Sequence, residues 1–271
     1  MRRHLGEWEA AIAVDGPAVN VFERKLGGGL VRHPELPALD GVAFVLCGSS
    51  GAATLERRAV RRARAAGVRC AVWLDHWTNY AMRFELDGAF VLPSEVWVCD
   101  EHAAALARAE LPGADVRVKG NPYLEDFAGE VRALERASGP REGHAERILY
   151  VTEPTSFAAE ALEQYLRHLA ESAGGGEAEL RIRTHPAEPA DKYDAVLGRH
   201  AGALRAQDAS GGTLAEDVAW ADTVVGCDTM AMIAAAEAGR RVISVLPPDV
   251  QPHLPPDARI ERPFRPMHGA T

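Results

Sequence analysis

The stretch that decides the fold is LAEDVAWADTVVGCDTMAMIAAAEAGRRVISV, Leu214–Val245. At its start, Thr213-Leu214-Ala215-Glu216 has the form of a capping box, with Thr accepting from the helix N-terminus and Glu reaching back. That helix ends before Asp222–Val225 (DTVV), a strand. A second helix, Thr229–Ala238, is closed by Gly239 and leads into the strand Arg241–Leu246 (RVISVL). Strand, helix and strand in succession require a crossover connection, and hence a parallel sheet.

The same alternation runs outward toward the N-terminus. Arg147–Val151 (RILYV) reads as a strand, Phe157–Ser172 as a helix, and Glu179–Arg183 as a strand ending at Thr184-His185-Pro186. Earlier, Val42–Cys47 (VAFVLC), Cys70–Leu74 (CAVWL) and Glu95–Cys99 (EVWVC) are apolar runs of the kind a parallel strand buried on both faces needs. Helices are expected from about Ala52 to Ala66, stopped by Gly67, and over about Glu101–Glu110; Val116–Val118 is a fourth strand. Between the two series lies Glu130–Glu146, charged and holding Ser138-Gly139-Pro140, read as a helix followed by a linker. The expected fold is α/β: two Rossmann-like domains with mostly parallel sheets and a cleft between them. The expected divisions are an N-terminal domain over 1–138, shortened because about 40 residues precede its first strand, a linker over 139–147, a C-terminal domain over 148–250, and an irregular tail over 251–271 marked by Pro255-Pro256.

Composition narrows the function classes. The net charge of −9 argues against a nucleic-acid partner, and the run Arg57, Arg58, Arg61, Arg62 and Arg64 reads as a solvated helix face. No run of about 18 apolar residues is present, so no transmembrane segment is expected. Met1-Arg2-Arg3-His4 is followed by a Glu-containing segment and not by an apolar one, so a secretory signal is not expected and the localisation reads as cytoplasmic. Cys47, Cys70, Cys99 and Cys227 have no metal-ligand spacing and read as reduced, buried thiols; neither a metal nor a cofactor is expected.

In open parallel sheets ligands collect beyond the carboxyl ends of the strands. Five clusters stand there. Gly48-Ser49-Ser50-Gly51 offers small residues before a helix, where backbone N–H groups suit an anion or simply a tight turn. Asp75-His76-Trp77-Thr78-Asn79-Tyr80, with Arg83 and Phe84 behind, is the most unusual segment. Asp75 and His76 are candidate general base or acid, and Trp77, Asn79, Tyr80 and Arg83 line the same loop or pack it. Asn121, in Gly120-Asn121-Pro122-Tyr123, either turns the chain or meets a substrate. His185, held by Pro186, is positioned to donate to a phosphate oxygen, with Arg183 or Lys192 adding charge. Gly226-Cys227-Asp228-Thr229 precedes a helix whose N-terminus favours an anion, though Asp228 or Thr229 is also a conventional cap.

The second half, on Arg183-Thr184-His185-Pro186 and Leu214–Val245, resembles the nucleotide-binding half of GT-B glycosyltransferases. Its His-Pro and Ser/Thr elements are similar to groups using CMP- or CDP-activated donors: bacterial sialyltransferases, Kdo transferases and teichoic-acid polymerases. The resemblance implies that His185 and Thr229 hold donor phosphate. The first half, on CGSSGAATLERRAVRRARAAGVRCAVWLDHWTNYAMRF, looks like the acceptor half of members from surface-carbohydrate gene clusters, which makes Asp75 the implied catalytic base. The implied activity is metal-independent transfer of a sugar or polyol-phosphate unit from a nucleotide donor to a small-molecule or glycan acceptor. Two departures stand out: the short first half, and Ala234 where related helices often carry a ribose-binding Glu, with Glu237 nearer Gly239. They keep two alternatives open, a nucleotide-sugar 2-epimerase or hydrolase and a non-catalytic nucleotide- or partner-binding protein.

Overall fold

The computed structural model describes residues 10–16, 18–26, 32–33, 35–50, 54–139, 145–172, 178–200, 205–208 and 212–263. The chain is α/β with mostly parallel sheets, divided into two compact units, Met1–Gly120 and Asn121–Thr271.

The first unit opens with β1 (Ile12–Ala13), α1 (Ala18–Leu26) and β2 (Arg32–His33), the two strands forming a short parallel pair. His33 sits on a two-residue strand, too short for any periodicity to register in the sequence. The main sheet then forms from β3 (Phe44–Cys47), β4 (Arg69–Leu74), β7 (Glu95–Val98) and β8 (Val116–Val118), all parallel and in that order. Its crossovers are α2 (Leu55–Ala65) and α3 (Glu101–Glu110). Between β4 and β7 lies a small antiparallel hairpin of β5 (Glu85–Leu86) and β6 (Ala89–Phe90). Its turn residues Asp87 and Gly88 both take positive φ, 54° and 73°, which is why Asp-Gly occupies a two-residue hairpin loop. The continuous apolar runs are buried as their composition requires: every residue of β7 is inside.

The second unit begins with a helix. α4 (Pro122–Ser138) buries Leu124, Phe127, Ala128 and Val131, a stripe at i, i+3, i+4 and i+7. It packs on α7 (Leu214–Trp220) and α8 (Met230–Glu237), and Glu135 pairs with Arg240. The division of the chain thus falls before this helix, at Gly120, whereas the sequence suggests a division after residue 138; the stripe shows that a helix has a partner but not which one. The sheet contains β9 (Glu146–Val151), β10 (Ala178–Arg183), β11 (Arg205–Asp208), β12 (Thr223–Gly226), β13 (Arg241–Ser244) and β14 (Ile260–Glu261). All are parallel, in the order β11-β10-β9-β12-β13-β14. α5 (Ala158–Ser172) and α6 (Asp194–His200) complete the crossovers, with Leu162, Tyr165 and Leu166 packed on Ile148, Tyr150 and Leu180. The segment expected as an irregular tail is in part structural. β14 pairs with β13, Ile260 and Leu254 are buried, and Arg241 Nε meets Glu261 Oε1 at 2.8 Å.

All four cysteines are free and buried. Burial pushes the Cys47 and Cys99 thiols up to about 12, which keeps them protonated and inert. No described helix is long and apolar enough to cross a membrane.

Candidate functional site

In the second unit the chain lays β9, β10 and β11 in one direction along the sheet and β12, β13 and β14 in the other. The reversal between β9 and β12 is a topological switch point, where the two crossovers part and leave a crevice at the carboxyl edge. The strand ends that meet there are Val151-Thr152-Glu153 and Gly226-Cys227-Asp228. Gly226 is required by this close approach. A Cβ on it would stand 2.9 Å from Val151 Cγ2 and 3.0 Å from the Val151 carbonyl oxygen. The position expected to contact donor is thus fixed by strand packing.

Glu153 is a buried carboxyl, 8% exposed, at this junction. Its Oε1 finds no hydrogen-bond partner among the described residues. Burial raises its pKa above the usual carboxylate range, and the nearby charge of Asp228 raises it further. Asp228, expected as a donor contact, is occupied: its carboxylate accepts from the backbone N–H of His253 and, at 3.2 Å, of Leu254. Thr229 is the N-cap of α8, its Oγ1 accepting from Ala231 N at 3.5 Å.

The neighbouring strand end, β10, carries His185 on a braced loop. Glu188 N donates to the His185 carbonyl at 2.9 Å, closing a turn. The Glu188 carboxylate, 1% exposed, accepts from Lys192 Nζ at 2.6 Å and Tyr193 Oη at 2.7 Å on one oxygen. On the other it accepts from the Thr152 hydroxyl and from His185 N at 3.2 Å. Burial opposes the Glu188 charge, but hydrogen bonds from Lys192, Thr152 and Tyr193 outweigh it and hold the pKa below the ordinary range. Thr152 Oγ1 in turn accepts from His185 N at 2.9 Å. The imidazole is oriented by its own loop: Ala187 N donates to His185 Nδ1 at 3.1 Å. With Nδ1 used as an acceptor, the neutral ring carries its proton on Nε2, a donor on an exposed side chain.

Two cations expected near His185 are committed elsewhere. Arg183 Nη1 donates to Asp217 Oδ2 at 2.5 Å and to the Gly212 carbonyl at 3.0 Å, pinning β10 to the start of α7. Lys192 is held by Glu188 and by the Thr155 carbonyl, 3.0 Å away. Residues a sequence reading passes over are Thr152 and Glu153, whose one signal is position, directly after the buried run RILYV.

In the first unit the loop after β4 divides into an aromatic frame and an exposed tip. Trp77 is buried and donates from Nε1 to Asp100 Oδ2 at 2.9 Å. Tyr80 is fully buried; its hydroxyl donates to the His76 carbonyl, and its N–H to Glu110 Oε2 at 2.9 Å. Asn79 takes a φ of 58°, the left-handed turn that lets the loop fold on itself. This frame leaves Asp75 and His76 exposed, with His76 Nε2 4.0 Å from Asp75 Oδ1. Arg83 reaches the other strand end, donating from Nη1 to the Ser49 carbonyl and to Ser49 Oγ, both at 3.1 Å. Gly48, Ser49, Ser50, Arg57, Arg83 and Phe84 line a small pocket there; Gly51 lies outside the described residues. Asn121 caps α4, its side-chain oxygen accepting from Leu124 N at 3.4 Å, so the residue type is explained by the helix it starts.

The structure therefore brings Thr152, Glu153, His185, Glu188 and Asp228 to one sheet edge. No group of three or more potential metal ligands stands among the described residues.

No protein-family model matches the sequence, and no curated protein does either. Solved structures do. A protein from Listeria monocytogenes provisionally named a UDP-N-acetylglucosamine 2-epimerase aligns over 92% of this chain and 74% of its own, with a TM-score of 0.64 and 14% identity. UDP-GlcNAc 2-epimerase from Neisseria meningitidis, solved bound to UDP-GlcNAc, aligns over 76% of this chain at a TM-score of 0.52 and 12% identity. The chain spans 60% of that enzyme's length, and likewise 60% of the Methanocaldococcus jannaschii UDP-GlcNAc 2-epimerase, matched with a TM-score of 0.52 and 12% identity. At these identities the likeness defines the fold: an α/β chain of the GT-B-like class.

Proposed function

We propose that the chain binds a nucleotide-activated sugar, with the donor phosphate held at the carboxyl edge of the second unit by His185. The observation that carries this reading is the His185 loop. Its ring is fixed so that Nε2 presents a proton, and the carboxylate that braces it is itself buried and saturated. A preorganised donor is what a phosphoryl leaving group needs, because donors already in place stabilise developing charge without reorganisation. In this reading the reaction is glycosyl or polyol-phosphate transfer to a small-molecule or glycan acceptor. Asp75, exposed at the tip of its loop, takes the acceptor proton, with His76 as second candidate.

One observation favours a second reading, 2-epimerisation or hydrolysis of the nucleotide sugar: the solved structures aligned above are named as 2-epimerases. The test is calorimetric titration with UDP-GlcNAc, a CMP-sugar and CDP-glycerol, followed by product analysis of whichever binds. Release of free nucleotide only in the presence of an acceptor supports transfer. Interconversion or release without an acceptor supports the second reading. Binding without turnover leaves a binding protein, and no binding by any of the three overturns the proposal.

A further inference from the structure

Glu153 has a property its packing does not explain. It is nine-tenths buried, yet Oε1 has no hydrogen-bond partner among the described residues. A buried acceptor left unsatisfied is costly, and folded chains keep few of them. This one lies at the end of β9, at the switch point. Among the described side chains, the other carboxylates next to the junction are engaged. Asp228 is taken by the amides of His253 and Leu254, and Glu188 by its four donors. α8 adds none, since its Ala234 is buried and its Glu237 pairs with Arg259 at 2.9 Å.

We propose that Glu153 Oε1 accepts a hydrogen bond from a hydroxyl of the bound molecule, so that the ligand lies along the sheet edge with its phosphate toward His185 and its hydroxyl-bearing part over the β9–β12 junction. This rests on the nucleotide-sugar reading above. Charge sets the polarity of the arrangement. Two neighbouring carboxyls, Glu153 and Asp228, disfavour an anion over the junction, whereas a sugar or ribose hydroxyl brings the proton that Oε1 lacks. His185, one strand away, offers the opposite chemistry. The shared chemistry is a hydroxyl donor, and both the ribose and the transferred sugar of a nucleotide sugar supply one.

The experiment compares the full chain with Glu153→Gln and Glu153→Met by calorimetry, using UDP-GlcNAc, UDP and inorganic pyrophosphate as probes. Gln keeps the shape and removes the charge; Met keeps the volume and removes the polarity. The expected result for Glu153→Met is a loss of about ten-fold or more in affinity for the hydroxyl-bearing probes, with a smaller loss for Glu153→Gln, whose amide oxygen still accepts. Pyrophosphate, which has no sugar hydroxyl, binds at least as tightly as before. A loss seen with UDP assigns the hydroxyl to the ribose, and a loss confined to UDP-GlcNAc assigns it to the sugar. Circular dichroism of the free variants establishes that each is folded before its affinities are compared. Equal losses for all three probes, or unchanged affinity for all, overturns the role of Glu153 while leaving the nucleotide-sugar reading standing. Failure of the parent protein to bind any probe removes that reading, and this inference with it.

Discussion

Glu188→Gln is the most informative single change in the second unit. The wild-type carboxylate accepts from Lys192 and Tyr193 on one oxygen and from Thr152 and His185 N on the other. An amide retains one accepting oxygen and turns its NH2 toward two donors, so one end of the network must break. Two charge-assisted bonds at about 1.5–3 kcal/mol each set an upper range of about 3–6 kcal/mol. The freed Lys192 is 22% exposed and regains some hydration, which places the expected loss near the lower end, about 3 kcal/mol. For a unit of this size that corresponds to a fall in melting temperature of roughly 6–12 °C. The pH dependence has a definite sign. Because the folded-state pKa of Glu188 is depressed, its contribution is complete above the unfolded carboxylate pKa of about 4.3 and is lost as pH falls through the folded value. The gap between parent and variant should therefore be full at neutral pH and narrow on acidification. Urea unfolding followed by circular dichroism at several pH values measures both quantities. A stability difference below about 1 kcal/mol at neutral pH, or one that does not narrow in acid, would refute the idea that this carboxylate braces the loop.

Three further outcomes follow from the same geometry. His185→Ala should weaken binding of whichever nucleotide the parent protein takes by about 1.5–3 kcal/mol, the size of a charge-assisted hydrogen bond; unchanged affinity by calorimetry sinks the phosphate assignment. Asp75→Asn should lower turnover by about 10²–10⁴-fold with donor affinity nearly constant. A variant that loses melting temperature but keeps its turnover assigns Asp75 to structure, and a larger turnover loss in His76→Ala moves the base to His76. Gly226→Ala should cost about 1–3 kcal/mol of stability, because the new methyl group meets the Val151 side chain and carbonyl; a neutral effect in thermal melts would show that β9 and β12 can part.

The strands legible in the sequence are the ones buried on both faces. RILYV, CAVWL, EVWVC and RVISVL are mostly apolar, as strands covered on both faces of a parallel sheet must be, and they coincide with β9, β4, β7 and β13 to within about two residues. β11 at the sheet edge and the two-residue strands β1, β2 and β14 have no such requirement, so RAQD and IE carry no signal. The hairpin at Asp87-Gly88 had one, an Asp-Gly pair, set between strands too short to show alternation. At the candidate site, the place of His185 just past the end of β10 is legible in the sequence. The pairing of Arg183 is not legible: its partner Asp217 lies on a helix much further along the chain, and only folding brings the two together. Glu153 sits among residues that match no motif. Its burial and its unsatisfied oxygen are properties of the fold, absent from any window of sequence.

The hold of Asp228 on His253 and Leu254 also bears on how the second unit is made. β9 emerges from synthesis early, but its neighbour β12 is encoded more than 70 residues later, and the outer edge of β13 is covered only when β14 arrives. A nascent chain that has reached Val250 still bares a strand edge and lacks the amides that neutralise Asp228. Until then the half-built sheet presents the open pairing surface on which chaperones and aggregation compete. Pairing of β14 on β13 is thus a late step, and chains truncated before it should be degraded more readily than the full chain.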